Sequence, residues 1–297
     1  MTITTSPNVL SIIDQFKGLL LDAYGVFWGG NAVGLLPGSK EILEKLVATG
    51  KIVGILSNSS QLVAKEIHKY QQHGLLQGKH FHFLVTSGEV ARRVFLQGQL
   101  PFATTKKRFW VLGQSHPKFA SHEAIFQGTG YIETSDIDEA DFIYISIPHI
   151  DGQDRVDLEI FRPDIEKVKS KKLPMVCANP DRFAQEGSPV KMVVRQGSLA
   201  NMYEEMGGQV FYIGKPEAKG YEIAMEHFQK QGMHSQDILM VGDTPETDIR
   251  GARRFGIASA LVTETGIMGE RSRNGLEKAL KALPSHDIPD YLLARFA

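Results

Sequence analysis

The stretch Ile238-Leu239-Met240-Val241-Gly242-Asp243-Thr244-Pro245-Glu246-Thr247-Asp248 decides how this chain is read. Four apolar residues predict a buried strand. Thr247 to Phe255 follows with a helical pattern, and Ala258 to Val262 is a second apolar run. Strand, turn, helix and strand in that order imply two parallel strands joined by a right-handed crossover. Two acids five positions apart straddle the turn. Asp248 alone reads as an ordinary helix-start acid. Gly-Asp-Thr-x-x-x-Asp as a unit does not, because clustered carboxylates suit Mg²⁺, a hard cation that takes oxygen ligands.

The same alternation extends outward. Val210 to Ile213 predicts a strand and Gly220 to Lys230 a helix. At the N-terminal end Gly18 to Leu21, Ile52 to Leu56 and His82 to Val85 predict strands. Ser39 to Thr49 and Ser60 to Gln72 predict the helices between them, stopped by Gly50 and Gly74. Residues 87–195 are also α/β, with strands at Arg108 to Leu112, Phe142 to Ile147 and Met175 to Cys177. Helices are expected around Lys118 to Phe126 and Leu158 to Lys171. Their loops are richer in Gly, Pro and His. The expectation is a doubly wound, parallel-sheet α/β core made of residues 1–86 and 196–297, interrupted by an inserted α/β domain at 87–195.

Ligand sites of open parallel sheets lie outside the carboxyl ends of the strands. Four such ends carry reactive side chains. Asp22 directly follows Leu19-Leu20-Leu21, where a carboxylate needs a partner or a metal, or else caps the turn before Gly25. Ser57-Asn58-Ser59-Ser60 follows Ile55-Leu56; free backbone N–H groups there favour an anion, although the stretch alone reads better as a helix-capping cluster. Lys215 sits between Gly214 and Pro216, where it places one ammonium; alone it reads as a solvated loop lysine. Asp243 and Asp248 complete the set. A carboxylate nucleophile, hydroxyl and amide donors, a cation and metal-binding acids together equip a site to move a phosphoryl group through an aspartyl-phosphate.

Composition sets the outer limits. The 297 residues suggest about two domains. With 42% hydrophobic and 23% charged residues, the chain is not disordered. Thirty-three Lys and Arg against 34 Asp and Glu leave a net charge of -1, so no global basic field exists to hold nucleic acid. The single cysteine, Cys177, lies in an apolar run and reads as a buried, inert thiol. Met1 to Val9 shows no signal-peptide pattern and no apolar run approaches a membrane span, so a soluble cytoplasmic protein without membrane partners is expected. His68, His73, His80 and His82 fit no close ligand pair and read as structural or surface residues.

The order of the four strand ends resembles the motifs of the haloacid dehalogenase (HAD) superfamily. Asp22 matches its nucleophile, Ser57 its hydroxyl, Lys215 its cation, and Asp243 and Asp248 its acidic pair. The insert between the second and third motifs is similar to the α/β cap of the class IIA branch, as are Thr86-Ser87, Gly214-Lys215-Pro216 and Ala178-Asn179-Pro180-Asp181. The resemblance implies a Rossmann-like core and a Mg²⁺-dependent phosphatase of small phosphorylated metabolites, sugar phosphates among them. A homodimer is compatible with it.

It further implies that Asp22, the main-chain carbonyl of Tyr24, and Asp243 hold Mg²⁺. Asp248 would position a water or pair with Lys215. Ser57, the Asn58 N–H and Lys215 would bind the phosphate, and Asn179, Asp181 and Arg182 of the cap are candidate substrate contacts. One position departs from the pattern: phosphatases of this superfamily carry a second Asp two residues after the nucleophile, and here it is Tyr24. Tyrosine is a poor base near neutral pH, so slow turnover is expected unless another group, with His149 as one candidate, substitutes. Asp22-Ala23-Tyr24-Gly25 also resembles the 2-haloacid dehalogenases, which use the Asp without a metal, but those lack the acidic pattern at Gly242-Asp243. A phosphometabolite-binding module without catalysis is the third reading.

Overall fold

The computed structural model describes residues 4–114, 121–187 and 190–297. Its main sheet has seven strands in the order β1 (Thr4–Ser6), β15 (Tyr291–Leu293), β14 (Ala258–Val262), β13 (Ile238–Gly242), β2 (Gly18–Leu21), β3 (Ile52–Ser57) and β4 (Phe83–Thr86). Every pairing in it is parallel. β2, β4 and β13 are buried throughout, as expected for strands covered by helices on both faces. The helices are α1 (Ser39–Ala48), α2 (Val63–Gln72), α3 (Ser87–Leu96), α7 (Ala218–Gln229), α8 (Arg250–Arg254), α9 (Gly266–Arg271) and α10 (Leu276–Lys281).

A second sheet runs β12 (Val210–Tyr212), β9 (Met175–Cys177), β7 (Phe142–Ile150), β5 (Arg108–Gln114) and β6 (Ile132–Glu133), with the short β8 (Gln153–Asp154) paired to β7. Helices α4 (Ser121–Phe126), α5 (Arg162–Ser170) and α6 (Gln196–Glu205) belong to this part, and β10 (Phe183–Glu186) with β11 (Lys191–Val194) forms an antiparallel hairpin. Lys118 to Ala120, expected to open α4, lie outside the described residues.

Three expectations need correction. Residue 196 is not where the chain returns to the main sheet. The apolar faces of α6 and β12 are buried against the second sheet: β12 pairs with β9, and Leu199, Met202 and Tyr203 of α6 pack with Ile143, Ile165 and Met175. The helix expected from Ser60 begins only at Val63, because Ser59 to Gln61 are held in a polar loop. The helix expected from Thr247 begins as a wide π turn at Pro245–Ile249 before α8. Such widened turns recur at functional sites, and this one carries Asp248.

The two sheets share apolar packing. Val90, Val94 and Phe95 of α3 belong to one cluster that includes Leu56, Phe83 and Val85 on one side and Phe109, Phe142 and Tyr144 on the other. Phe95 lies 4.4 Å from Phe126 and 5.8 Å from Phe142, ring to ring. A continuous close-packed cluster of this kind resists large hinge motion. Among the described residues no helix is long and apolar enough to cross a membrane.

Candidate active site

Register brings the first two acids together. Leu21 of β2 pairs with Val241 of β13, so the residues just beyond both strands emerge side by side. The Asp22 N–H donates to the Val241 carbonyl at 2.9 Å. Asp248 returns from the π turn: its Oδ2 accepts the N–H groups of Asp243 and Thr244 at 3.1 and 3.0 Å. A side chain at Gly242 would run into Asp248, which explains the glycine. Lys215 Nζ lies 2.6 Å from Asp22 Oδ1 and 2.7 Å from Asp248 Oδ1. One oxygen from each of Asp22, Asp243 and Asp248 lies within 4.8 Å of the others.

Electrostatics here favour a further cation. Burial pushes the Asp22 carboxyl well above its usual range; Lys215 opposes this, while Asp248 and Asp243 add to it. Burial and the nearby Asp248 raise Asp243 to about 7. Lys215 is pushed the opposite way by its own burial, but Asp22 and Asp248 outweigh that and hold it protonated. Three clustered carboxylates thus have one ammonium beside them, paired to Asp22 and Asp248 and not to Asp243. Their all-oxygen donor set fits a hard divalent cation such as Mg²⁺. Asp243 is fixed in place by Thr244 Oγ1 at 2.9 Å and the Ile267 N–H at 2.6 Å. Gly25 and Gly266, both at positive φ, crowd it so closely that a Cβ at either would collide with its Oδ2.

The second loop is braced from three sides. Ser87 Oγ donates to the carbonyls of Asn58 and Ser59 at 2.8 and 3.0 Å. Asn58 Oδ1 accepts the Lys215 N–H at 2.7 Å, and its Nδ2 donates to Asp181 Oδ1 at 2.8 Å and to the Lys215 carbonyl at 3.2 Å. Thr86 Oγ1 caps α3 through the Glu89 N–H.

Above the acids lies a cavity of about 410 Å³. Asp22, Tyr24, Ser57 and Asp243 border it from the main sheet. Asn179, Asp181 and His149 border it from the second sheet, and Phe183 and Gln185 from the β10–β11 hairpin. Gln185 Nε2 reaches across to the Gly266 carbonyl at 3.2 Å.

Two family models match this chain. One, described as haloacid dehalogenase-like hydrolase, matches residues 19–127; the other, described as HAD-hydrolase-like, matches residues 212–294. Between them they take in the strand ends of Asp22, Ser57, Lys215, Asp243 and Asp248.

The chain belongs to the haloacid dehalogenase-like hydrolases.

Chronophin of Bos taurus is 28% identical to this hydrolase over 96% of its length and 93% of chronophin. Among solved structures, a haloacid dehalogenase-like family hydrolase from Brucella suis 1330 superposes with a TM-score of 0.78 at 22% identity, covering 98% of this chain and all of that one. A "possible sugar phosphatase" of the same superfamily from Cytophaga hutchinsonii superposes at 0.75 with 21% identity, covering 100% and 98%. At these identities the superpositions establish the fold.

The structure of this haloacid dehalogenase-like hydrolase assembles most residues singled out in its sequence and rearranges some. Lys215 arrives from β12 of the second sheet, not from a main-sheet strand; the Ile213 N–H bonds the Cys177 carbonyl at 2.8 Å. Lys215, Asp248 and Asn58 are buried and do not border the cavity. Arg182 is exposed and also lies outside its wall. His149 is buried at the wall with Nε2 on Asp154 Oδ1 at 3.1 Å. Cys177 is buried, its thiol on the Asn179 carbonyl, and burial pushes its pKa up. His80 and His82 each accept a backbone N–H through Nδ1.

Tyr24 borders the cavity, but its hydroxyl accepts from Lys69 Nζ at 3.3 Å, and Lys69 pairs with Glu66 at 2.5 Å. Lys69 Nζ also sits 5.0–5.2 Å from the ring centres of Tyr24, Trp28 and Tyr70. Burial lifts the Tyr24 hydroxyl to about 12, despite Lys69. Glu66 and Lys69 were invisible as site residues in the sequence, where they form part of the polar face of an amphipathic helix. The one available signal was their i, i+3 spacing.

Proposed function

We propose that the protein is a Mg²⁺-dependent phosphatase of a small phosphorylated metabolite, with Asp22 as nucleophile. The observation that carries this reading is the cluster of Asp22, Asp243 and Asp248, with Lys215 bridging Asp22 and Asp248, at the edge of the cavity. Asp22, Asp243 and the main-chain carbonyl of Tyr24 would hold the ion. When bound it supplies positive charge that offsets repulsion between the Asp22 carboxylate and an anionic phosphate.

The residues divide the work as follows. Lys215 aims Asp22 Oδ1 and opposes the effect of burial, which favours the protonated carboxyl. Asp22 attacks phosphorus, the bond from phosphorus to the alkoxide oxygen breaks, and an aspartyl-phosphate forms on Asp22. Water then displaces the carboxylate and releases inorganic phosphate. Ser57 and the backbone N–H groups of its loop receive the phosphate oxygens, and Asn58 fixes that loop to Lys215 and Asp181. Walls from the second sheet and the β10–β11 hairpin exclude bulk water and contact the leaving group. The division into a main-sheet core and a covering domain, with the boundary moved to about residue 213, belongs to the same proposal.

Tyr24 stands where a carboxyl would protonate the leaving alkoxide and deprotonate water. With its hydroxyl at about 12 and committed to Lys69, it serves poorly as a base. Tyr24→Asp is expected to raise kcat by on the order of 10²-fold, the lower end of the roughly 10²–10⁴ range of acid–base help. An unchanged or lower rate would remove this explanation of slow turnover.

The decisive experiment is inorganic phosphate release from a panel of phosphomonoesters, with Mg²⁺ and with EDTA. Release that needs Mg²⁺ is expected. Metal-independent turnover, or chloride release from a 2-chloroacid, would transfer the protein to the dehalogenase reading suggested by Asp22-Ala23-Tyr24-Gly25. Ligand-induced stabilisation with no turnover would make it a binding module.

A further inference from the structure

Helix α2 brings Lys65, His68, Lys69 and Gln72 to the border of the Asp22 cavity. Positions i, i+3, i+4 and i+7 fall on one helical face, so the row forms one wall. It covers two turns, roughly 10 Å along the helix axis. It begins just after Ser57, Ser59 and Ser60, which border the same cavity. A basic row on an amphipathic helix ordinarily faces bulk water. This one borders the space in which a substrate of Asp22 must lie.

The basic groups around the cavity differ in what already holds them. Lys69 is tied to Glu66 and Tyr24 and sits among three aromatic rings. From the second-sheet side, Arg195 pairs with Asp154 at 2.6 Å and Glu186 at 3.4 Å, and His149 is buried with Nε2 on Asp154. Lys65 and His68 are exposed where they border the cavity, and the Gln72 amide donates to His68 Nε2 at 3.0 Å. The acids of the border stand on other segments or are engaged. Asp22 and Asp243 follow main-sheet strands, Asp181 accepts from Asn58 Nδ2 at 2.8 Å, and Glu66 is committed to Lys69. The border thus has an acidic sector, suited to a metal and a phosphoryl group, and a basic sector on α2 that suits an anion directly.

We infer that the substrate carries a second anionic group, a carboxylate or a second phosphate, and that Lys65 and His68 receive it. The inference rests on the phosphatase reading above and narrows its substrate class. A second anion placed beside Asp22 and Asp243 would be repelled; one placed along α2 meets an ammonium and an imidazole. Ile147 and Phe183 add apolar surface for the carbon chain that joins the two anions. Exposed charges attract modestly, and two such contacts support a preference of roughly 10-fold.

The test uses the full chain with Mg²⁺ and esters matched in length. 3-Phosphooxypropanoate, 4-phosphooxybutyrate and 6-phosphooxyhexanoate are compared with 3-hydroxypropyl, 4-hydroxybutyl and 6-hydroxyhexyl phosphate. Butane-1,4-diol bisphosphate, counted per phosphoryl group, tells a second phosphate from a carboxylate. In at least one length kcat/KM for the dianionic ester is expected to exceed that for the alcohol by roughly 10-fold or more. Raising the ionic strength from about 0.02 M to about 0.5 M should shrink that ratio, since exposed charges are screened. The double substitution Lys65→Gln with His68→Gln should bring it to within about threefold of one, and Lys65→Glu should lower it as well. Equal or better use of the alcohol at every length, or a ratio that survives both the salt and the double substitution, overturns the role of Lys65 and His68 while leaving the phosphatase intact. The wild-type comparison decides the matter even if the variants fail to fold. Absence of phosphate release from all of these esters and from 4-nitrophenyl phosphate overturns the phosphatase reading and this inference with it.

Discussion

Asp22→Asn is expected to lower phosphate release by at least about 10⁴-fold, because the amide cannot form the acyl-phosphate bond and no neighbouring carboxylate shares the position of Asp22 at the end of β2. The change is nearly isosteric, so the fold should survive it. Stability is the more discriminating readout. Burial and two neighbouring acids disfavour the ionised Asp22 carboxyl in the folded chain. At neutral pH a neutral Asn removes that penalty, although Lys215 loses one of its two carboxylate partners. Thermal unfolding in metal-free buffer should therefore show a Tm equal to the parent's or above it, alongside abolished turnover. Substantial residual activity would disqualify Asp22 as the nucleophile. A collapse of Tm would show that its role is structural.

Lys215→Met should do the opposite to stability. The methionine replaces the stem of the lysine but leaves Asp22 and Asp248 without their shared ammonium, 2.6 and 2.7 Å away in the parent. Removing one partner from a buried ion pair costs about 3–5 kcal/mol, since an uncompensated charge stays behind. A drop in Tm on the order of 10 °C in metal-free buffer is expected for such a loss. Turnover should fall by about 10²-fold or more, because Asp22 is no longer aimed and loses the charge that favours its ionised form. Added Mg²⁺ should restore part of the stability, since it binds only the folded acid cluster. An unchanged Tm would mean that the carboxylates take up protons at little cost, and the ion pair would then explain neither the fold nor the chemistry.

How much of this was legible beforehand varied by residue. Asp22 and Asp243 were readable because each comes at the end of an apolar run, where a charge is hard to accommodate without a purpose, and Asp248 through its spacing from Asp243. Ser57 was readable for the same positional reason. Lys215 was identified, but its origin was misread. Val210 to Tyr212 looks like any buried strand, and strand periodicity says nothing about which sheet a strand joins. Pairing with Met175–Cys177 is a long-range choice, made by the apolar face that α6 and β9 leave to be covered. Asn58 was assigned to phosphate through its backbone, while its side chain proves to be the brace joining Lys215 to Asp181.

By itself the sequence determined the α/β class, the parallel main sheet and the identity of the acids, because burial periodicity and a charge at a strand end are local properties of the chain. Tertiary structure decided what those properties could not contain. It set the sheet that delivers Lys215 and the pairing of Tyr24 with Lys69, itself paired to Glu66. Each of these depends on segments far apart in the chain meeting in three dimensions. Whether a polar atom is paired, buried or left facing a ligand is settled only by what packs against it.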